Sequence, residues 1–246
     1  SSVDEAIEKT EQIIEQTETV KKGLMQQLLT KGIGNKEFKQ SPIGEVPRTW
    51  SVKPLGDVVL EKPTYGSGDS AQDYDINKPR YIRITDITED GFLNENDLKS
   101  VKYDGNEKYL LKKGDLLFAR TGNTVGKSYI YREKEGFAVY AGYLIRFKVD
   151  ENIVDPEFIF HITHSSYYYN WVKSMLRTGA QPNINAQEYS SLLIPVPSKE
   201  EQNYIIKILK GFQEKILSEK QYLNKLETIK QGLMQQLLTG KVRVPL

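Results

Sequence analysis

GLMQQLLT occupies residues 23–30, and the same eight letters return unchanged at 232–239. The offset is 209 positions, and extending it backward aligns residues 3–30 with 212–239 at 14 of 28 places. Apolar positions correspond throughout: Ile7 with Ile216, Ile14 with Leu223, Val20 with Ile229, Leu24 with Leu233 and Leu28 with Leu237. Val3, Ile7, Thr10, Ile14, Thr17, Lys21, Leu24 and Leu28 advance by alternating steps of four and three, which is one face of an α-helix. The second copy reads Phe212, Ile216, Glu219, Leu223, Leu226, Lys230, Leu233 and Leu237. The duplicated stretch is therefore a helical unit used twice.

Neither helix should stand alone, because its stability comes from an apolar stripe that needs a partner. Ile205, Ile208 and Leu209 carry the second helix back towards Glu200, giving a rod of roughly 60 Å at 1.5 Å per residue. Polar residues at 10, 17 and 21 weaken a strict coiled-coil seam while helping to set its register. Two readings follow: an antiparallel hairpin bracing a domain, or a coiled-coil-like spacer holding functional heads apart.

Between the rods the pattern changes. Residues 31–40 are polar, with Gly32 and Gly34, and Pro42 and Pro47 follow. Pro195-Val-Pro197 closes the central region, after which Ser198 with Glu201 forms a candidate capping box. The expected organisation is a helix over 1–30, a linker over 31–40, a central domain over 41–197, a long helix over 198–240 and a tail over 241–246. Within the centre, strands are expected at Tyr81–Ile84, Asp115–Ala119, Lys127–Tyr131, Phe137–Val139 and Tyr143–Phe147, with glycine turns between them, and helix over Asp155–Lys173. Lys62–Tyr74, rich in Gly, Ser, Asp and Tyr, reads as a loop. The fold class is α+β: one mixed, strand-rich domain flanked by long amphipathic helices.

Composition narrows the function. The chain has no cysteine, which excludes disulfides, thiolate metal sites and cysteine nucleophiles. No run of 18 apolar residues suggests a membrane span, and the expected location is cytoplasmic. The net charge of +1 neither demands nor excludes nucleic acid.

Several strings in and around the central domain resemble the specificity subunits of type I restriction-modification systems. Ser41-Pro-Ile-Gly-Glu-Val-Pro-Arg-Thr-Trp50 with Leu55-Gly-Asp57 looks like the entry to a target recognition domain of that family. Gly114-Asp-Leu-Leu-Phe118 with Arg120, Gly122 and Val125-Gly-Lys127 resembles its internal strand and turn. Gln181-Pro-Asn-Ile-Asn185, Ile194-Pro-Val-Pro197 and Glu201-Gln202 resemble its exit into a spacer helix. Any one string is weak; their order, their spacing and the GLMQQLLT helix ends make the match specific.

The resemblance implies a DNA-selecting subunit without catalysis of its own. Family members of the usual length alternate two recognition domains with two helical regions, whereas this sequence carries one domain between related helices, like a half-length or truncated subunit. A homodimer would restore two heads and predicts inverted-repeat half-sites. The implied partners are double-stranded DNA, methyltransferase subunits and restriction-translocation subunits. S-adenosylmethionine, with ATP and Mg2+ for restriction, would be used by those partners and not bound by this chain. The competing class is a truncated or structural protein that binds protein partners without reading DNA.

Reading bases needs donors and acceptors at their edges, while cations position the phosphates. Residues 41–197 hold 19 Lys or Arg against 21 Asp or Glu, so overall charge does not mark a DNA surface. Base contacts are expected from Arg120, Thr121, Asn123 and Thr124 and from the segment Arg177–Asn183, which includes Gln181 and Asn183. Arg suits guanine, Asn and Gln suit adenine, and the glycines allow close approach. Both segments read equally as fold-defining turns. Arg80, Arg83, Lys127 and Lys173 are further DNA-binding candidates. Tyr167-Tyr-Tyr169 and Trp171 read either as base-stacking or as packing groups.

Catalytic patterns are weak. Gly122-Asn-Thr-Val-Gly-Lys-Ser128 has three residues between its glycines, where a nucleotide-binding P-loop has four. His161 and His164 lack the Glu of a metalloprotease helix, and Glu37-Phe-Lys39 lacks the preceding carboxylate of a nuclease centre. No catalytic or metal-binding set is expected in this chain.

Overall fold

The computed structural model describes residues 2–105, 107–176 and 181–239. It forms two compact units, Ser1–Gln27 with Lys207–Leu246, and Leu28–Ile206. The long helices contribute to both: α1 runs over Ser2–Lys31, and the last helix over Lys199–Leu238.

In the helical unit the two helices pair antiparallel. Asp4 meets Lys230 at 2.8 Å, Glu18 meets Lys220 at 2.7 Å, and Lys21 donates to Gln213. The repeat's stripe forms the seam. Ile14, Ile216 and Leu226 are buried, and Ile7, Leu24 and Leu223 are half-buried. Thr10 and Thr17 are also buried, and each hydroxyl donates to its own helix, to the carbonyls of Ala6 at 2.7 Å and Ile13 at 2.6 Å. These two threonines are thereby satisfied without a partner across the seam, unlike Lys21. Leu233 departs from the expected stripe and is 45% exposed. Leu237 is helical, but its side chain lies outside the description, as does the tail over 241–246.

The second unit opens with a hairpin of β1 (Phe38–Ser41) and β2 (Gly44–Pro47), so the expected linker already carries a strand from Phe38. Next come β3 (Ser51–Pro54), β4 (Thr64–Tyr65), β5 (Gln72–Asp73), β6 (Arg80–Ile82) and β7 (Lys99–Ser100). The segment 62–74, expected as loop, thus holds the two short strands β4 and β5. They are followed by β8 (Leu116–Ala119), β9 (Ser128–Ile130), β10 (Ala138–Tyr140) and β11 (Leu144–Phe147). The expected strands at these places all form: β8, β9 and β11 are trimmed by one or two residues, β10 is shifted by one, and β6 begins one residue early and ends two early. Then come α2 (Pro156–Ile162), α3 (Ser166–Met175), α4 (Ala186–Ser190), β12 (Leu193–Val196) and α5 (Lys199–Leu238).

One four-stranded sheet is antiparallel in the order β4-β11-β8-β9, and the other, β10-β6-β7-β5, contains one parallel pair, β6 with β10. Strands β8, β9 and β11 of the first sheet are buried along their length, so β8 reads as a continuous apolar run rather than an alternation. Its core centres on Phe118 and Phe147, whose rings meet edge to face at 5.3 Å. A buried charge interrupts it: Arg146 donates to the carbonyls of Leu110 at 2.9 Å and Lys108 at 3.1 Å and lies 3.7 Å from Asp115.

Helix over Asp155–Lys173 is split in two. Asp155 caps α2 by accepting from the Glu157 N–H at 2.8 Å; the turn at Thr163 then ends it, and Ser165 caps α3. The entry to α5 also differs from expectation. The Ser198 hydroxyl accepts from the Glu201 N–H at 3.3 Å, but the Glu201 carboxylate does not reach back to complete the box. It accepts instead from Ile33 N at 2.9 Å, Asn35 Nδ2 at 2.7 Å and Trp50 Nε1 at 2.8 Å. Gln202, fully buried, donates to the carbonyls of Pro197 and Ile153 and accepts from the Asp155 N–H.

Candidate nucleic-acid interface

Strand β8 delivers Arg120 at its end, and the chain turns through Gly122–Thr124 before β9. The turn closes on itself: Gly126 donates to Ala119 at 3.0 Å, and Val125 to Gly122 at 3.1 Å. Gly126 adopts φ +89, and a Cβ there would come within 2.8 Å of Val172 on α3. Gly122 also has a positive φ, but space is open beside it. The first glycine thus lets a helix pack close; the second serves the turn alone.

Residues 181–184, sixty positions on, lie against this turn. Thr121 and Asn183 form an antiparallel bridge, Gly122 donates to the Pro182 carbonyl at 3.0 Å, and Ile184 donates to the Arg120 carbonyl at 2.9 Å. The Thr121 hydroxyl adds a longer bond to Pro182 at 3.3 Å. Among the candidates from the sequence, the structure therefore brings Arg120, Thr121, Asn123 and Thr124 together with Gln181 and Asn183. Asn123, Gln181 and Asn183 are exposed, and Arg120, Thr121 and Thr124 are partly exposed. Arg177 lies outside the described residues.

Three tyrosines hold the site: Tyr168, which the sequence offers as a stacking or packing group, and Tyr65 and Tyr189, which are not among the sequence candidates. The Tyr189 hydroxyl donates to the Ala119 carbonyl at 2.8 Å and accepts from the Gly126 N–H at 3.1 Å, joining the two ends of the turn. The Tyr168 hydroxyl donates to the Gly126 carbonyl at 2.7 Å. Burial raises both hydroxyls well above the ordinary tyrosine value, so they stay protonated donors. Tyr65 places its ring under Arg120, with the guanidinium carbon 4.9 Å from the centroid, and its hydroxyl accepts from Ala186 at 3.1 Å. Tyr168 and Trp171 stack on each other at 5.9 Å, so packing uses the faces offered above to a base. Asn185 and Glu188 form a complete capping box for α4, the helix that carries Tyr189.

The remaining cations are differently placed. Arg83 clamps Asp86 through Nε and Nη2 at 2.6–3.1 Å and reaches Asp97 at 3.1 Å, and these bonds raise its pKa further. Arg80 meets Glu135 at 3.4 Å and the Asn94 carbonyl at 3.0 Å. Lys127 meets Glu89 at 2.8 Å and the Ile87 carbonyl at 3.2 Å. Lys173 is exposed on α3. Arg120 is the one arginine candidate among the described residues positioned by an aromatic ring rather than neutralised by an acid. Its charge stays available to a partner, which a guanidinium spent on a carboxylate does not offer.

Among the described residues no group of three His, Cys, Asp or Glu is arranged to hold a metal, and no helix is long and apolar enough to cross a membrane. The geometry suits contact rather than catalysis: exposed amides and a guanidinium on a cross-braced turn, backed by protonated tyrosines.

A mixed α+β domain ending in a long helix, with such a turn at its surface, corresponds to a known class. The family described as the Type I restriction modification DNA specificity domain matches residues 47–228, and the chain belongs to that family. It is 29% identical to the MjaVIII specificity subunit of Methanocaldococcus jannaschii over 94% of this chain and 55% of the relative. With the HindI specificity subunit of Haemophilus influenzae the identity is 29% over 75% of this chain and 39% of that one. The fold is similar to the S subunit of a type I restriction-modification system from M. genitalium, with a TM-score of 0.62 and 15% identity over 96% of this chain and 58% of that one. The HsdS subunit of Thermoanaerobacter tengcongensis gives a TM-score of 0.54 and 16% identity, covering 98% and 57%. The chain spans about half the length of the curated relatives it matches.

Proposed function

We propose that this chain selects DNA for a type I restriction-modification system, reading one half-site per copy and acting as a homodimer on a bipartite inverted repeat. Its role is recognition and recruitment of methyltransferase subunits, joined by restriction-translocation subunits where cleavage is performed. S-adenosylmethionine, ATP and Mg2+ then belong to the partners. The observation that carries this reading is the bracing of Arg120–Thr124 against Gln181–Asn183, which presents three exposed amides and an unneutralised guanidinium on one rigid edge. Asn and Gln amides match the adenine edge and Arg the guanine edge.

The test is selection from a randomised duplex library by the chain with its methyltransferase, with mass measured on the bound complex. Two copies enriching an inverted bipartite motif support the reading. Enrichment of no motif by the complex, with methyltransferase still bound, favours a protein-binding role. The acid partners of Arg80, Arg83 and Lys127 are the features that such a result would rest on.

A further inference from the structure

The run 138–147 is buried on either side of Gly142 and Tyr143. Ala138, Val139, Tyr140 and Ala141 precede them and Leu144, Ile145, Arg146 and Phe147 follow, all buried, while Tyr143 stands 58% exposed. A turn sets it there: the Leu144 N–H donates to the Ala141 carbonyl at 2.9 Å, and the Tyr143 carbonyl accepts from the Arg120 N–H at 3.0 Å. These bonds fix the backbone at Tyr143, and a tyrosine side chain adds only two rotatable angles to it.

The register carries this ring to the candidate interface. β11 pairs with β8 with Leu144 opposite Ala119, so the next step sets Tyr143 opposite Arg120, and β4 sets Tyr65 opposite Ile145. Alternate residues of a strand share a face, which puts Tyr143, Arg120 and Tyr65 on one face of the sheet. The contact of Arg120 with the Tyr65 ring lies on that face. The chain after β4 braces the turn from the other side. Ser67 donates to the Tyr140 carbonyl at 2.9 Å and bridges Ala141, and the Tyr81 hydroxyl of β6 donates to the Ser67 carbonyl at 2.8 Å. A Cβ on Gly66 would come within 2.3 Å of the Ala141 carbonyl oxygen, and one on Gly142 within 3.1 Å of the Ser67 carbonyl oxygen. Glycine at both positions is what lets the two segments close on each other.

We infer that Tyr143 is a further specificity-determining residue, whose ring contacts the C5-methyl group of a thymine in the base pair next to a guanine met by Arg120. The inference rests on the base-reading role given to the turn above and adds a residue and a base to it. Arg120 Nε is buried with no hydrogen-bond partner among the described residues, which leaves the two terminal amino groups of the fork to meet guanine O6 and N7 end on. Both acceptors lie in the major groove, where the apolar group open to a neighbouring ring is the thymine methyl. Residues directly opposite on paired strands stand about 5 Å apart at Cβ, and stacked base pairs rise about 3.4 Å, so the two side chains reach adjacent pairs.

Tyr143→Ala keeps the backbone carbonyl that Arg120 bonds, and Tyr143→Phe keeps the ring. The chain with its methyltransferase is first selected on a randomised duplex, and thymines of the enriched half-site are then replaced one at a time by deoxyuridine, which lacks only the methyl. At one thymine the replacement should weaken the unsubstituted chain about fourfold, Tyr143→Phe by the same factor and Tyr143→Ala not at all. That thymine should neighbour the position whose guanine preference Arg120→Ala relaxes. Equal sensitivity to the methyl in the unsubstituted chain and Tyr143→Ala overturns the contact, as does a half-site with no thymine beside that guanine. Uniform weakening of all duplexes by Tyr143→Ala also overturns it and makes the ring a phosphate or sugar contact. If Arg120→Ala and Asn123→Ala alter no position of the motif, the base-reading role of the turn fails and the inference with it. Positions relaxed in those two variants, with an unaltered Tyr143→Ala profile, overturn the inference alone.

Discussion

Trp50 donates its indole N–H to one carboxylate oxygen of Glu201 at 2.8 Å, and Ile33 and Asn35 donate to the other at 2.9 and 2.7 Å. One acid at the head of α5 thus ties down the chain leaving α1 and the buried tryptophan after β2. Hydrogen bonds to a charged group contribute about 1.5–3 kcal/mol in total effect when one partner is removed. Glu201→Ala should cost about 2–3 kcal/mol in urea unfolding, well above the loss of a helix cap alone. A cost under about 0.5 kcal/mol would show that the tie is incidental.

The two glycines of the turn should respond differently to alanine. Gly122→Ala meets open space and suffers only the left-handed backbone cost, about 1 kcal/mol. Gly126→Ala adds a collision with Val172 and should destabilise by about 2–4 kcal/mol. Equal melting temperatures for the two variants would contradict the close packing of α3.

Tyr189→Phe removes the hydroxyl that joins Ala119 to Gly126 and leaves a buried carbonyl and N–H without that partner. The expected cost is about 1–3 kcal/mol. Amide exchange at Gly126 should quicken in the variant; unchanged exchange would separate the tyrosine from the turn's rigidity.

Base preference and general affinity should divide between residues. Asn123→Ala or Asn183→Ala should relax selection at single positions by about 1–3 kcal/mol, whereas Lys173→Ala should weaken all duplexes alike and lower the salt slope by about 1. Uniform loss of affinity from Asn123→Ala would move base reading away from this turn.

Burial raises the carboxyl pKa of Asp115, against the opposing pull of the Lys112 N–H and of Arg146. A raised folded value means the native state holds this proton more tightly than the unfolded chain does. The contribution is therefore fully present below the ordinary carboxylate range and is lost as pH rises through the folded value. Asp115→Asn should remove that slope, so its stability relative to the parent should improve from the ordinary carboxylate range upward through the raised value. The slope is the measurement; a difference flat with pH would assign Asp115 an unperturbed value.

The parts legible in the sequence were those governed by period and punctuation. The helix repeat and the strands before and after Gly122 follow from local patterns, whereas Pro195, read as the start of a break, lies inside β12 and pairs with Val52. The β1–β2 hairpin was not legible, since Phe38–Ser41 is too short and too polar to alternate, and its pairing with Gly44–Pro47 decides its state. Nor was the diversion of Glu201, whose spacing from Ser198 fits a cap while its actual donors stand more than 150 positions away. At the site, the polar residues were identifiable by chemistry. Their junction through Thr121 and Asn183, and the ring of Tyr65 beneath Arg120, depend on contacts no linear pattern encodes.

The buried hydroxyls of Thr10 and Thr17 are satisfied inside α1 itself. When α1 leaves α5, neither hydroxyl is orphaned, and what the seam core loses is mainly apolar contact. Attraction of that kind weakens on cooling. The helix pair should accordingly be the cold-sensitive part of the molecule, loosening in the refrigerator before the strand-rich unit does.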